Sequence, residues 1–128
     1  MKIIEQEEVR KLLQPKDCIQ LMAEALKGLE SGEYAQPARL ITVMPNTAKF
    51  GFMPAYVGDY FGAKVISAFA PNMGTKYPSH IGYVMLFESA HSTVAGMIEA
   101  GSITEIRTGA VSAAATDLLA RKDSHKLA

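Results

Sequence analysis

The sequence of 128 residues has one cysteine, no tryptophan and no excess of charge of either sign. Its 13 basic and 13 acidic residues balance to a net charge of zero. A surface that binds nucleic acid or an anionic membrane needs concentrated basic charge, so we expect neither kind of partner. Because Cys18 is the only cysteine, no disulfide can form within the chain, and a reducing, cytoplasmic location is expected.

Long apolar runs and the common cofactor motifs are also missing. No apolar run approaches the length of about 20 residues that spans a membrane, and the N-terminal stretch MKIIEQEEVRKLL is too acidic for a secretory signal. Neither a G-x-G-x-x-G nor a P-loop motif is present. The spacing of His80, His91 and His125 matches no metal site. The sequence therefore predicts no membrane span, no metal centre and no nucleotide fingerprint.

The chain does contain a clear order of secondary-structure patterns. Residues 5–13 predict a short surface helix, and an amphipathic helix follows from Pro15 to a stop at Ser31-Gly32. Five segments rich in β-branched and aromatic residues then predict strands: ARLITVM, KFGFMPAY, GAKVISAFA, IGYVMLFES and TVAGMIEA. Their connections are too short for helical crossovers. We expect an α+β fold with a mainly antiparallel sheet of five to six strands.

The last 28 residues predict a helix of small residues, with Ser102 or Thr104 as its N-cap and an end near Ala120. The final stretch, HKLA at 125–128, is typical of the beginning of a buried strand. The strand IGYVMLF is apolar on both of its faces. This pattern predicts burial on both sides, by the helices or by another subunit, so we expect dimerisation to complete the fold.

Three cations lie in segments of apolar or small residues: Arg39, Lys64 and Arg107. These segments contain no acidic residue except Glu105, which faces another side of the predicted helix. A buried charge without a partner is costly. One hypothesis is that the three cations share a small carboxylate from outside the chain, held bidentately by arginine. The alternative is that each is an ordinary surface cation or pairs with a distant acidic residue.

The small side chains from Gly109 to Ala115 allow a backbone or a flat ligand to approach the predicted helix closely. Free amides near the start of this helix, together with the hydroxyl of Thr108, would suit a phosphate. The alternative is close packing alone. Ser79 and His80 are neighbours on a predicted strand, where their side chains would point to opposite faces, so we expect no nucleophile–base pair.

Three ordered blocks, FMPAY…GAKVIS, PSHIGYVMLFES and SITEIRTGAVSAAATDLLA, resemble the ornithine cyclodeaminase/mu-crystallin family. The resemblance covers essentially the whole chain and is most specific over residues 50–120. It implies NAD(P)(H)-dependent reduction or cyclisation of small 2-amino, 2-imino or 2-keto acids. It further implies that residues 1–128 are the substrate-binding and homodimerisation domain, with a Rossmann domain missing after residue 128 and no cofactor bound by this part alone.

The same resemblance implies roles for the three cations. The carboxylate-binding arginines of the family fall on Arg39 and Arg107, and its active-site lysine falls on Lys64. In the implied mechanism the two arginines clamp the substrate carboxylate. Lys64 is the catalytic residue, which stabilises charge at the 2-substituent or relays a proton, and a lowered pKa would suit that role.

Other matched positions imply further contacts. Ser79 and His80 match residues that line the substrate pocket, and Thr108 matches a threonine near the cofactor phosphates. Ornithine-using members carry a carboxylate where this chain has Gly51, so ornithine is not the expected substrate. Members often have aspartate before the last helix where this chain has Glu99, a change that we expect to be structurally mild.

The resemblance leaves three activities open: an amino-acid dehydrogenase, a ketimine reductase, or a lyase-type cyclodeaminase. In each of them we expect the 128-residue chain alone to be inactive. A different hypothesis is a non-catalytic module that binds a small carboxylate or dimerises, like mu-crystallin. A third is a truncated remnant without function, which predicts poor solubility because surfaces meant for a missing half would be exposed.

Overall fold

The computed structural model describes residues 1–126, in which a six-stranded sheet carries helices on one side. The three helices are α1 (Gln6–Leu12), α2 (Pro15–Ser31) and α3 (Ala100–Leu119). The six strands are β1 (Lys2–Ile4), β2 (Leu40–Val43), β3 (Lys49–Val57), β4 (Tyr60–Ala68), β5 (His80–Glu88) and β6 (Val94–Glu99). The predicted α+β class is confirmed, and none of the described helices is both long and apolar enough to cross a membrane.

The strand order is β1-β6-β5-β4-β3-β2. All neighbouring strands are antiparallel except β1, which pairs in parallel with β6. The five predicted strands and the mainly antiparallel sheet are confirmed, whereas β1 was not predicted because its three residues are too few to show a period. Strands β3 and β4 meet in a two-residue turn, where Gly58 adopts a φ of 56° that favours glycine.

Helix α2 begins and ends as its sequence predicts. Pro15 occupies the first turn, where its missing N–H would have no partner within the helix. The helix ends at Gly32, whose φ of 79° lies in the left-handed region and whose amide donates to the carbonyl of Leu29. Gly28 is buried under the ring of Tyr34, and a Cβ at this position would overlap the ring. The ends of α2 are therefore set by local residue choices.

Helix α3 begins earlier than predicted. Strand β6 passes directly into it, and the carboxylate of Glu99 caps it by accepting hydrogen bonds from the amides of Gly101 and Ser102. The predicted caps, Ser102 and Thr104, were wrong because both lie inside the helix. The predicted end near residue 120 is confirmed. The predicted strand at 125–128 extends to residues 127 and 128, which lie outside the described part of the chain.

The two faces of the sheet differ because successive side chains of a strand alternate between them. The covered face, on which α3 packs, is the face that carries Gly51, Met53, Lys64, Ile66 and Val84. The open face carries large apolar side chains at the alternating positions Phe52, Phe61, Val65, Tyr83, Met85 and Phe87. One apolar side of β5 thus faces the helices, and the other lies on the open face, which no element of residues 1–126 covers.

Small residues hold the helical layer together. Ala110 and Ala114 are buried one turn apart on α3, which packs against α2. Of the two interpretations of the small residues at 109–115, a ligand approaching closely or helix packing alone, these contacts agree with helix packing. The open face, in contrast, forms a shallow apolar concavity in which the rings of Phe61 and Phe87 stack with centroids 5.3 Å apart.

Candidate functional site

Lys64 lies in the middle of the sheet, on the covered face. Its partners in register on the neighbouring strands are Met53 and Val84, which carry no charge. Its side chain reaches toward α3, where the Nζ atom donates a hydrogen bond of 3.1 Å to the Oγ1 atom of Thr104. A lysine in this setting has lost part of its hydration and gained one polar contact.

The two predicted arginines act on the same lysine. Burial lowers the pKa of Lys64 most, and the positive charges of Arg107 and Arg39 lower it further. Arg107 follows Thr104 by three residues, so both lie on the same side of α3. Arg39 directly precedes β2, at the edge of the sheet. The structure thus brings together three cations that are far apart in sequence.

None of these three cations forms an ion pair with a carboxylate within residues 1–126. Glu105, the acidic neighbour of Arg107 in sequence, pairs instead with Arg10 of α1. Arg39 and Arg107 are exposed and only Lys64 is half-buried, so the cost of burying a charge applies to Lys64 alone. Their shared feature is a concentration of positive charge without an acidic partner in the described part of the chain.

Ser79 and His80 lie further from this cluster. His80 begins β5 on the same face as Val84, four residues away, which is roughly 13 Å along a strand. Ser79 precedes the strand, and its backbone carbonyl accepts a hydrogen bond from the amide of Phe69. Within residues 1–126 no hydrogen bond joins either side chain to Lys64. Their part in a substrate pocket stays a prediction.

Thr108 is exposed on α3, but the predicted phosphate site around it needs correction. It is the ninth residue of the helix, so its own amide lies in the helix interior. The amides of Gly101 and Ser102, at the true start of the helix, already bond to Glu99. The described amides at the start of α3 therefore offer no open phosphate cradle, and the Thr108 hydroxyl alone stays available.

Sequence reasoning missed Thr104 as a member of the site. It was interpreted as a possible cap, whereas it is the fifth residue of α3 and the contact of Lys64. The spacing T-x-x-R in the sequence was the available signal, because residues three apart share one face of a helix.

The covered face beside Lys64 is apolar around Gly51. The side chain of Ile66 fills this space, so that a Cβ on Gly51 would lie 2.7 Å from its Cγ1 atom, and Ile41 is next at 3.1 Å. Residues 1–126 contain no group of three or more His, Cys, Asp or Glu side chains that could hold a metal ion. The site therefore combines cations with an apolar wall.

Known proteins resemble this chain in sequence and in fold. The model of the ornithine cyclodeaminase/mu-crystallin family matches residues 1–128. Mouse ketimine reductase mu-crystallin is 34% identical over 101 residues, which cover 77% of this chain and 32% of that protein. The chain therefore spans about a third of the length of this relative.

Two solved structures share the fold closely. Thermococcus litoralis Δ1-pyrroline-2-carboxylate reductase, in complex with NADH and L-proline, has a TM-score of 0.89 and 30% identity, covering 97% of this chain and 39% of that one. An archaeal alanine dehydrogenase dimer with bound NAD also has a TM-score of 0.89, with 25% identity over 95% of this chain and 38% of that one. The chain belongs to the ornithine cyclodeaminase/mu-crystallin family.

Proposed function

We propose that this chain is the substrate-binding and dimerisation domain of an NAD(P)-dependent enzyme that acts on a small 2-amino, 2-imino or 2-keto acid. The observation that carries the proposal is the convergence of Arg39, Arg107 and Lys64, with no acidic partner among residues 1–126. The named activities of the relatives support it. We further propose a cytoplasmic location, because Cys18 is a free, buried thiol.

The substrate carboxylate supplies the charge that the cluster lacks. The guanidinium groups of Arg39 and Arg107 are exposed and can bind both carboxylate oxygens, which fixes the orientation of the molecule. The amine of Lys64, whose pKa is lowered by burial and by both arginines, then lies beside the 2-substituent. Such an amine can give a proton to the nitrogen or oxygen at C2, or take one from it, more readily than a fully hydrated lysine.

The nucleotide needs residues outside the described part of the chain. Residues 1–126 contain no strand–glycine turn–helix unit, and Glu99 occupies the amides at the start of α3. We therefore propose that NAD(P) binds a further domain, that Thr108 contributes at most a hydroxyl to its phosphates, and that this chain alone binds no nucleotide and turns over no substrate. The relatives, which are about two and a half times as long, support a second domain.

The apolar wall narrows the proposed substrate. Ornithine and lysine carry a distal amine that needs an acidic or polar partner. Beside Gly51, the side chains of Ile66 and Ile41 offer none. We propose a substrate with a short apolar side chain or an apolar ring, such as pyruvate or Δ1-pyrroline-2-carboxylate. His80 and Ser79, farther along β5 and before it, are proposed to line the outer part of the pocket.

The open face of the sheet is the proposed dimer interface. Phe50 and Phe52 are 45% and 41% exposed, and Ile81 is 50% exposed. Contiguous apolar surface of this kind marks interaction sites in soluble proteins. The related alanine dehydrogenase is a dimer. We propose that a second copy of this chain packs on the open face, which leaves the cation cluster on the opposite face.

A second candidate function is a module that binds a small carboxylate without catalysis. It is favoured by the same cation cluster and by the missing nucleotide-binding unit within residues 1–126. The two candidates differ in one respect. An enzyme domain gains turnover when its nucleotide-binding domain is supplied within one chain, whereas a binding module does not.

The test is titration of ¹⁵N-labelled protein with pyruvate and, separately, with Δ1-pyrroline-2-carboxylate. We expect chemical-shift changes near Lys64 and Arg107, no binding of NADH or NADPH, and no oxidation of either nucleotide. Absence of shifts with both acids would refute carboxylate binding. Turnover by the chain alone would refute the proposal that substrate and nucleotide bind to two different domains.

A fusion of this chain to the nucleotide-binding half of a Δ1-pyrroline-2-carboxylate reductase separates the two candidates. Turnover by the fusion that Lys64→Met abolishes supports the enzyme domain. A fusion that binds both ligands but stays inactive supports the binding module.

A further inference from the structure

Thr104 connects the lysine on the sheet to the backbone of α3. Its Oγ1 atom accepts the hydrogen bond of 3.1 Å from the Nζ atom of Lys64, which is 40 residues away in sequence. The same hydroxyl donates a hydrogen bond of 2.6 Å to the backbone carbonyl of Ala100, one turn earlier in the helix. Two hydrogen bonds of opposite sense therefore meet at one oxygen.

The direction of these bonds follows from the single proton of a hydroxyl. Since that proton points to the carbonyl of Ala100, only lone pairs of Oγ1 face Lys64. The amine must then direct one of its N–H bonds to Thr104. Its other bonding directions are left for a ligand between the arginines. Because the Thr104 oxygen can only accept a hydrogen bond from Lys64, it fixes both the position and the orientation of the amine.

The charged groups around the amine act against its protonation. Arg107 on α3 and Arg39 before β2 both lower the pKa of Lys64, together with burial, which contributes most. The adjacent positions on β3 and β5, Met53 and Val84, are uncharged. His80 and Glu88, the titratable groups on this face of β5, each lie four residues from Val84. The hydrogen bond to Thr104 opposes this effect, since a bond to the charged form favours that form.

We propose that Thr104 is a positioning residue, which holds the amine of Lys64 through an oxygen that can only accept. The inference rests on the proposed function for its consequence, because the amine so held faces the 2-substituent of a carboxylate bound by the arginines. The catalytic residue remains Lys64. Thr104 decides where the proton on Lys64 points and how tightly it is bound.

The experiment measures the pKa of Lys64 by NMR of lysine-labelled protein, which needs no ligand, in three variants. Thr104→Val keeps the shape and removes the acceptor, and Thr104→Ser keeps the hydroxyl. Thr116→Val is the matched control, because the Thr116 hydroxyl bonds to the carbonyl of Ser112 one turn earlier in the same helix. Pyruvate titration of each variant is the second measurement.

We expect Thr104→Val to weaken proton binding by the Lys64 amine roughly threefold or more. Thr104→Ser and Thr116→Val should leave it unchanged. An unchanged Lys64 pKa in a folded Thr104→Val variant would overturn the proposal, as would an equal change in Thr116→Val. A threefold change accompanied by no pyruvate binding in the wild type would uphold the positioning contact and reject the proposed function, so that the two failures are distinguishable.

Discussion

The covered and open faces of the sheet are built from the same strands and yet carry opposite chemistry. On β4, Lys64 points to the helical layer while its neighbour Val65 points to the open face. The covered face holds a cation cluster next to an apolar wall. The centre of the open face is formed mainly by aromatic and aliphatic side chains. A strand period of two thus lets one short sheet keep the proposed ligand site and the proposed dimer interface on opposite faces without additional elements.

Burial in the single chain is also uneven, because small side chains are fully buried while many large apolar ones are exposed. The fully buried side chains are small, and Cys18 and Ser102 are the largest of those below 2% exposure. Large apolar groups such as Leu118 and Leu119, at 79% and 85% exposure, lie at the outer surfaces. Helix α3 brings small residues to its packed side, while the sheet keeps its large residues for the open face. Full burial is therefore reached mainly by small side chains, with Val9 and Ile66 as larger members of the core.

The strongest test of the difference between the two faces introduces an arginine on the open face in one variant and on the covered face in another. Val65→Arg places an unpaired cation at the centre of the open face, which should cost about 3–5 kcal/mol in each copy of a dimer. We expect sedimentation to show a change from twice 13.8 kDa to 13.8 kDa at micromolar concentration. The control is Val57→Arg, which makes the same change at the exposed end of β3, where the side chain points to the covered face. A wild-type monomer, or a dimer that tolerates Val65→Arg, would contradict the interface.

The next test removes a cation from the covered face. Arg107→Ala should weaken pyruvate binding roughly ten- to a hundredfold, because a charge-assisted hydrogen bond is lost. Arg39→Ala should have an effect of the same direction. Arg121→Ala is the control, since Arg121 is an exposed cation beyond the end of α3. Calorimetric titration measures each affinity, and equal affinities in Arg107→Ala and the control would eliminate Arg107 from the site.

A smaller effect concerns the cap that sets α3 on the covered face. Burial raises the pKa of Glu99, but hydrogen bonds from Ser102 and Gly101 outweigh this effect and lower it below 4.5. Glu99→Ala should reduce the free energy of unfolding by about 1 kcal/mol. The contribution of Glu99 is complete above pH 4.5 and is lost as the pH falls through its lowered value.

Urea unfolding at pH 7 and pH 3 measures this contribution, with Glu33→Ala as an exposed loop control. The difference between wild type and Glu99→Ala should shrink at pH 3. A constant difference at both values would show that the carboxylate does not act through its charge.

The smallest predicted effect is the pH dependence that Lys64 adds to stability. Its pKa in the folded chain is lowered from 10.5, so the unfolded chain binds the proton more tightly. The contribution of Lys64 to stability therefore rises with pH between the lowered value and 10.5 and is level below that window. Lys64→Met should lack this rise, and Lys16→Met, at the exposed start of α2, should retain it. Urea unfolding from pH 7 to pH 10.5 measures the difference.

Much of the fold was predictable because its signals are local. Pro15 and Gly32 mark the ends of α2, and short segments rich in β-branched and aromatic residues mark β3, β4 and β5. The start of α3 was predicted incorrectly because a glutamate can cap a helix directly from the end of a strand, and the sequence shows no loop to announce it. Strand β1 was missed because three residues gain their strand conformation only from pairing with β6.

The candidate site was predictable in its residue types and not in its contacts. Arg39, Lys64 and Arg107 stood out as cations in apolar or small-residue segments, and the structure brings their charges together. The sequence left open whether the two arginines are buried or exposed, because exposure at a sheet edge or on a helix surface depends on what packs above it. Thr104 could not be assigned to Lys64 without knowing which turn of α3 lies over β4.

The helices, five of the six strands and the three unusual cations could be identified in the sequence, because these depend on residue types at short spacing. The tertiary structure decided which face α3 covers, where that helix begins over the sheet, and that Thr104 rather than a carboxylate meets Lys64. The physical reason is that contacts between residues 40 or more positions apart are set by the packing of whole elements, and no local pattern encodes that packing.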